Sequence, residues 1–364
     1  MTQDSGLRTQ DSGLRTQDSG LRTQDSGLRT QDSGLRTNYA QIKFEEYERG
    51  RLDEIYDTVA PYSEMAKNER YFLSGMIRYM KPAKILEVGV SRGGGSAIIL
   101  NAIKDLPQSH LYSVDYCEKH YSGETDKLSG YLVDEKFPQL KDKWTFYRGG
   151  DVSRYIERIG GDIDLLVLDT AHIHPWETLN FLCVLPFMRP GSWCIIHDVL
   201  LHHLLHRIND LACRYLYGHV VTDCRIMPAP DENGIPNFSN IGAFHITEDT
   251  MKYSSNLFES LLCTWAAIPG VYDKKVFPYA TPISSQDLDD IRKIIRKYYP
   301  ERAEFFEHAI EFQEDIARQK AKRYKSYKGI WERNFPISFR LVRSLKDSFK
   351  RARRIRMRKK IEGD

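Results

Sequence analysis

Long apolar runs are missing from this chain. Nothing in its 364 residues approaches the roughly 18–20 consecutive apolar positions that a membrane span needs. The N-terminus carries no basic-then-apolar leader, so no secretory signal is expected. Cysteine is scarce and unpatterned. Cys117, Cys183, Cys194, Cys213, Cys224 and Cys263 include no CxxC pair, which argues against a zinc site or a disulfide framework and suits a reducing cytoplasm. A large excess of one charge is missing too. The formal net charge is +3, yet residues 340–364 alone hold eleven Lys/Arg against three Asp/Glu, so the other 339 residues sum to −5. A mildly acidic body weakens nucleic acid as the partner of the main domain. What is present is an ordinary globular balance, 41% hydrophobic and 28% charged, in a chain long enough for one large domain with additions.

Residues 2–36 are five identical copies of TQDSGLR. The seven-residue period is not a coiled coil, because each unit offers one leucine and no paired seam. With a glycine and three poor helix formers per unit, a disordered tail is the expected state of residues 1–37. Residues 38–80 read as helical, with Tyr71, Phe72, Met76, Ile77 and Met80 in an apolar stripe that Pro82 ends. Residues 81–250 alternate short apolar strands with helices, the pattern of a doubly wound α/β sheet. Strands are expected at Lys84–Val90, His110–Asp115, Trp144–Tyr147, Asp164–Asp169 and Ser192–Asp198. Two more, His219–Met227 and Asn240–Ile246, suit an antiparallel edge hairpin. Helices are expected at Ser96–Lys104, Val152–Ile159, Glu177–Met188 (stopped by Pro190-Gly191) and Leu200–Leu216. Residues 251–334 read as a helical extension, and residues 200–330 as the cap over an acceptor pocket. Residues 335–364 read as a basic amphipathic tail.

The chemistry concentrates at the expected carboxyl ends of the strands. Ile85–Ser96, ILEVGVSRGGGS, is a strand that delivers Glu87, turns at Gly89, and continues through Gly93, Gly94 and Gly95 into a helix at Ser96. Such a turn leaves bare backbone near a helix N-terminus for a nucleoside ligand. Its ExGxxxG spacing is not the GxGxxG favoured by pyrophosphate. Asp115, twenty-six residues after Gly89, ends the second strand where an acid can meet ribose hydroxyls. Asp151 follows the third strand and can reach the adenine side of the same crevice. Asp169 and Asp198 end the fourth and fifth strands, two oxygen ligands suited to Mg²⁺ or another hard divalent ion. His172, three residues beyond Asp169, is placed to act as a base near neutral pH. His197 is open between a third ligand and ordinary packing, with packing preferred. His174 is expected to do no chemistry. His202, His203 and His206 read as a polar helix face, and Trp176 as either packing or a substrate platform.

These residues together resemble the class I S-adenosylmethionine-dependent O-methyltransferases, and most closely the macrocin/mycinamicin-type and bacterial polysaccharide sugar methyltransferases. The resemblance covers roughly residues 65–250. It implies that Glu87, Gly89 and Gly93 bind the methionine part of S-adenosylmethionine and Asp115 its ribose, with Ser96 and Asp151 as further candidate cofactor contacts. It implies also that Asp169 and Asp198 bind the divalent cation and that His172 is the base. The family's DGxH element is DTAH here, with Thr170 in place of glycine. The acceptor implied is a sugar or surface-polysaccharide precursor. The basic tail has three readings, in order of preference: solvated, lying on an anionic membrane at its inner face, or bound to RNA. Oligomer formation is left open. Two other classes compete on the same fold, an NAD-dependent oxidoreductase and a non-catalytic scaffold. The first would need a Tyr/Lys or Cys/His element that is not evident. The second would be expected to lose its strand-tip acids.

Overall fold

The computed structural model describes residues 51–121, 126–204, 211–228, 239–273 and 280–334. The repeats at 1–37, the first part of the 38–80 helical segment and the basic tail at 335–364 lie outside the described residues. After a short helix at Tyr56–Val59, α1 (Lys67–Met80) precedes β1 (Lys84–Val88), followed by α2 (Gly94–Ile103) and β2 (His110–Asp115). Next come α3 (Tyr131–Lys136), β3 (Trp144–Arg148), β4 (Ile163–Leu168), α4 (Trp176–Val184) and β5 (Met188–His197). The chain continues with α5 (Ala212–His219), β6 (Arg225–Ile226), β7 (Ile241–His245), α6 (Ser285–Tyr298) and α7 (Ala303–Asn334). No helix among the described residues is long and apolar enough to cross a membrane.

The seven strands form one sheet in the order β3-β2-β1-β4-β5-β7-β6. β1 to β5 are parallel, while β7 runs antiparallel between β5 and β6. This is the doubly wound, Rossmann-like architecture expected, with its antiparallel edge pair and a helical extension. Period-two alternation explains the two layers. Ile85, Leu111, Leu165, Val167, Trp193 and Ile195 join the core beneath α1 and α2. Leu86, Val88, Leu166, Leu168, Cys194 and Ile196 join the core beneath α4 and α5, which α6 and α7 extend. Because β1 lies between β2 and β4, the chain crosses faces there, and a crevice opens at the carboxyl ends of the strands.

Several boundaries differ from expectation. β1 stops at Val88, because Gly89 turns to a φ of +93°. The segment expected as one helix over 152–159 is a 3₁₀ turn, Val152–Arg154, followed by a short helix, Ile156–Ile159. α4 ends at Val184, where Pro186 falls in a 3₁₀ turn and offers no amide to continue the helix. Pro190-Gly191 does not separate helix from strand but lies inside β5. Ile163 pairs with Met188 and Leu165 already with Trp193, so the proline sits in a bulge that exposes Arg189, Pro190 and Gly191. Of the expected 200–216 helix the described residues hold Leu201–Leu204 and α5, and 219–227 narrows to the two residues of β6. The described part of the extension packs mainly against the face of the sheet that carries α4. Tyr299 donates a hydrogen bond to the Leu182 carbonyl of α4, and among the described residues of the extension the stretch Thr281–Asp287 reaches Trp176 and Tyr116 at the crevice.

Candidate active site

A cleft of about 350 Å³ opens at the carboxyl edge of the parallel strands. Gly89, Val90, Ser91, Asp115 and Asp151 form one part of its wall, and Asp169, His172 and Asp198 another. The sequence thus brings its two groups of candidate residues into one cavity. Three of the expected cofactor residues stand behind that wall. Glu87 is buried and accepts hydrogen bonds from Ser96 Oγ at 2.6 Å and Ser113 Oγ at 2.7 Å. Its neighbour in sequence, Leu86, faces the opposite layer, so Glu87 points toward α2 and ties strand to helix. Burial pushes its carboxyl up to about 7. Gly93, with a φ of +96°, opens α2 and abuts the Gly130 backbone.

Asp115 is placed at the cleft but is already engaged. Its Oδ2 accepts from the amides of Val90 (3.0 Å) and Ser91 (2.8 Å) and from Ser129 Oγ (2.7 Å), and Oδ1 accepts from the Cys117 amide (2.8 Å). It therefore staples the glycine-rich turn to β2. Asp151 is likewise buried, accepting from the Ser153 amide at 2.9 Å and from the Asn180 side chain of α4. Burial holds its carboxyl above the ordinary aspartate value. Trp176 is packed rather than free. Its Nε1 donates to the Thr281 carbonyl at 2.9 Å, and its ring meets Tyr116 edge-on while forming part of the wall.

At the tips of β4 and β5 the groups close on one another. His172 Nε2 lies 3.0 Å from Asp198 Oδ2 and 3.6 Å from Asp169 Oδ1. Both His172 and Asp198 take left-handed φ values of +58°, which turns their side chains back over the strand ends. Burial alone would lower the His172 imidazole, but Asp198, Asp169 and Glu177 outweigh it and leave its pKa raised. Burial would raise the Asp169 carboxyl, but His197 and then His172 outweigh that and draw it below the ordinary value. Asp169, His172 and Asp198 each offer a ligand atom within 4.8 Å of the others, so a divalent ion could be held here.

Other members of the site were not foreseen. Glu177, fully buried at the start of α4, accepts from the His172 amide and from Thr170 Oγ1 (2.9 Å). Cys213 Sγ lies 3.5 Å from His172 Nδ1. The packing preferred for His197 is only half of its role. The ring is 3% exposed, yet Nδ1 faces Asp169 Oδ1 at 3.1 Å and Nε2 faces Glu69 Oε2 at 3.2 Å. Glu69 comes from α1, where its place three residues into a helix reads only as a capping acid. Glu64 and Tyr121, hydrogen-bonded to each other at 2.8 Å, also line the cleft. His174 stays outside the wall, its pKa pushed down to about 4 by burial. His206 lies outside the described residues.

Residues 86–199 match the family model described as a methyltransferase domain. That stretch runs from β1 through both strand-tip aspartates, and the sheet order around it is that of the class I fold. Residues 86–199 are therefore similar to a methyltransferase domain set in a Rossmann-like sheet, and the resemblance drawn from the motifs is met at that level. No curated protein matches the chain. Among solved structures it is similar to the O-methyltransferase TomG of Streptomyces achromogenes, in complex with S-adenosylmethionine. That pair is 15% identical over 59% of this chain and 96% of the other, with a TM-score of 0.41. An O-methyltransferase from Bacillus cereus with S-adenosylhomocysteine is 16% identical over 54% and 90% of the two chains, at 0.39. A Podospora anserina methyltransferase, also with S-adenosylhomocysteine, is 13% identical over 56% and 93%, at 0.38.

Proposed function

We propose that this domain transfers a methyl group from S-adenosylmethionine to a hydroxyl oxygen, on a sugar or a surface-polysaccharide precursor, with a divalent cation and His172 as base. The observation that carries the reading is the placement of His172 Nε2 between Asp198 and Asp169, in the same cleft as the Gly89 turn. The residues fit both absent groups. At Gly89 no side chain can stand, so bare backbone meets the cofactor, and Asp115 and Asp151 lie along the adjoining wall. Asp169 and Asp198 offer hard oxygen donors on adjacent strand tips.

S-adenosylmethionine supplies a methyl group activated on a sulfonium. A cation held by Asp169 and Asp198 supplies positive charge that lowers the pKa of a hydroxyl. The chain does the rest. His172 Nε2 accepts the hydroxyl proton, a step that contributes about 10²–10⁴ in rate. Glu177 and Thr170 hold the His172 loop, and the buried cores on either side of the strand tips fix the direction of approach. Among the described residues that line the cleft there is no Lys or Arg. That favours an uncharged acceptor at the reacting end over a phosphate or carboxylate. The methyltransferase domain and the absence of a Tyr/Lys element disfavour the NAD-dependent reading, and the retained acids disfavour a scaffold. The basic segment 335–364 would let the enzyme meet a lipid-linked acceptor at an anionic surface.

The test is a methyl-transfer screen of the full chain on nucleotide sugars and glycans with labelled S-adenosylmethionine, with Mg²⁺ or Mn²⁺ and with chelator. Transfer should require the cation and be lost in Asp169→Asn, while calorimetry still shows cofactor binding. Normal turnover of Asp169→Asn would remove the cation. Vesicle flotation with and without residues 335–364 tests the membrane arm, and equal flotation ends it.

A further inference from the structure

We infer that Glu64 binds the α-ammonium group of the methyl donor, with the Tyr121 hydroxyl holding its carboxylate in place. This rests on the S-adenosylmethionine reading above and extends it to the amino-acid end of that molecule.

The glycine-rich turn seats two segments from outside the sheet. A Cβ at Gly94 would lie 2.6 Å from the Tyr62 carbonyl oxygen and 2.7 Å from Ser63 Cα, so the stretch before α1 rests directly on the start of α2. Arg70 of α1 holds the same stretch, donating to the carbonyls of Ala60 (3.4 Å) and Ser63 (3.1 Å). A Cβ at Gly93 would lie 3.1 Å from Gly130 Cα, at the foot of the loop between β2 and α3. That loop is folded back by a bridge between Lys119 and Leu128. It is tied to the turn where the Gly130 amide (2.8 Å) and Ser129 Oγ (3.0 Å) donate to the Ser91 carbonyl. Glu64 follows the first seated segment, and Tyr121 stands on the loop. The Tyr121 hydroxyl donates to Glu64 Oε1 at 2.8 Å, and both residues are exposed along the cleft wall.

The donor's sulfonium carries three branches. The ribose belongs at the tip of β2, by Asp115. The methyl must face His172, Asp169 and Asp198 for transfer to an acceptor there. The third branch ends in an ammonium and a carboxylate, and the wall left for it is Val90, Ser91, Glu64 and Tyr121. An ammonium offers three N–H donors and needs acceptors. The other acids of the wall are engaged. Asp115 accepts from four donors, Asp151 from Ser153 and Asn180, Asp169 faces His197 and His172, and Asp198 meets His172 and Asn240. Glu64 accepts from Tyr121 alone among the described residues, which leaves Oε2 for a charge-assisted hydrogen bond. No Lys or Arg among the described lining residues competes for it.

The experiment is calorimetry on the full chain with three probes. They are S-adenosylhomocysteine, its analogue with hydrogen in place of the amino group, and 5′-methylthioadenosine, which lacks the amino-acid branch. Wild type should bind S-adenosylhomocysteine about tenfold more tightly than the deaminated analogue, the worth of one charge-assisted hydrogen bond. Glu64→Gln should weaken S-adenosylhomocysteine by about tenfold and leave the other two probes within about twofold. Tyr121→Phe frees the carboxylate without removing it, so it should weaken S-adenosylhomocysteine by about two- to fivefold and spare the other two. Should Glu64→Gln not fold, the wild-type preference and Tyr121→Phe decide alone. A wild type that does not discriminate against the deaminated analogue overturns the inference and leaves the cofactor reading standing. So does a Glu64→Gln variant that binds S-adenosylhomocysteine as wild type does, or that loses all three probes alike. A wild type that binds none of the probes ends both ideas.

Discussion

The Cβ that Gly89 lacks would lie 1.7 Å from the carbonyl oxygen of Asp169. The glycine-rich turn and the tip of β4 are therefore in backbone contact, the first belonging to the proposed cofactor side and the second to the acceptor side. Gly89→Ala must move one of them. With a φ of +93° as well, the variant carries backbone strain of about 1–3 kcal/mol before the clash is counted. We expect cofactor binding by calorimetry to disappear and the melting temperature to fall. Wild-type cofactor affinity in Gly89→Ala would contradict the contact.

Asp115→Asn tests the staple. Three donors converge on Oδ2, and an amide nitrogen turned toward them would face N–H against N–H. An unmet buried donor costs about 1–3 kcal/mol. We expect cofactor affinity to fall at least tenfold and the turn amides of Val90 and Ser91 to gain hydrogen exchange. Unaltered exchange at those two amides would show that the turn stands without Asp115.

Glu87 makes stability depend on pH. Burial raises its carboxyl from the ordinary 4.5 to about 7, so between those values the folded chain holds a proton that the unfolded chain has released. The contribution of this group is full below pH 4.5, falls as pH rises to about 7, and then levels. The largest swing is about 3 kcal/mol. Glu87→Gln cannot titrate, so thermal melts from pH 5 to 8 should show wild type losing ground to the variant and then running parallel. A flat difference curve would rule out the burial-driven shift.

Glu177 anchors the loop that carries His172, the proposed base. It takes the His172 amide and the Thr170 hydroxyl, so Glu177→Ala frees a loop whose histidine sits at a left-handed φ. Turnover should drop by about 10–100-fold, the effect of a misplaced group, with cofactor affinity retained. Thr170→Gly should cost less, because the amide contact survives. Equal turnover in Glu177→Ala and wild type would release Glu177 from this role.

Much of this was legible in the chain. Strand ends can be read from β-branched runs, so Asp115, Asp151, Asp169 and Asp198 could be assigned to one edge before any coordinates. The directions of the carboxylates could not. Asp115 turns into the protein because the amides of Val90 and Ser91 point at it, a consequence of turn geometry that spacing does not encode. Pro190-Gly191 looked like a stop because a bulge inside a strand uses the same residues as a loop. Glu177 begins a helix and looks like an ordinary first-turn acid. Glu69 lies fifteen residues before β1 and reaches His197 only through the packing of α1 on the sheet. No local pattern marks such a contact.

The matched domain begins at residue 86, but the packing behind its strand tips does not. α1 precedes that boundary and supplies the carboxylate behind His197. A fragment cut at β1 would keep the turn and every strand-tip aspartate, yet hold one imidazole nitrogen against an empty wall. The exchangeable unit for grafting or recombining this domain therefore starts upstream of its recognisable homology, and chimeras joined at β1 would inherit the strand tips without the Glu69 contact behind them.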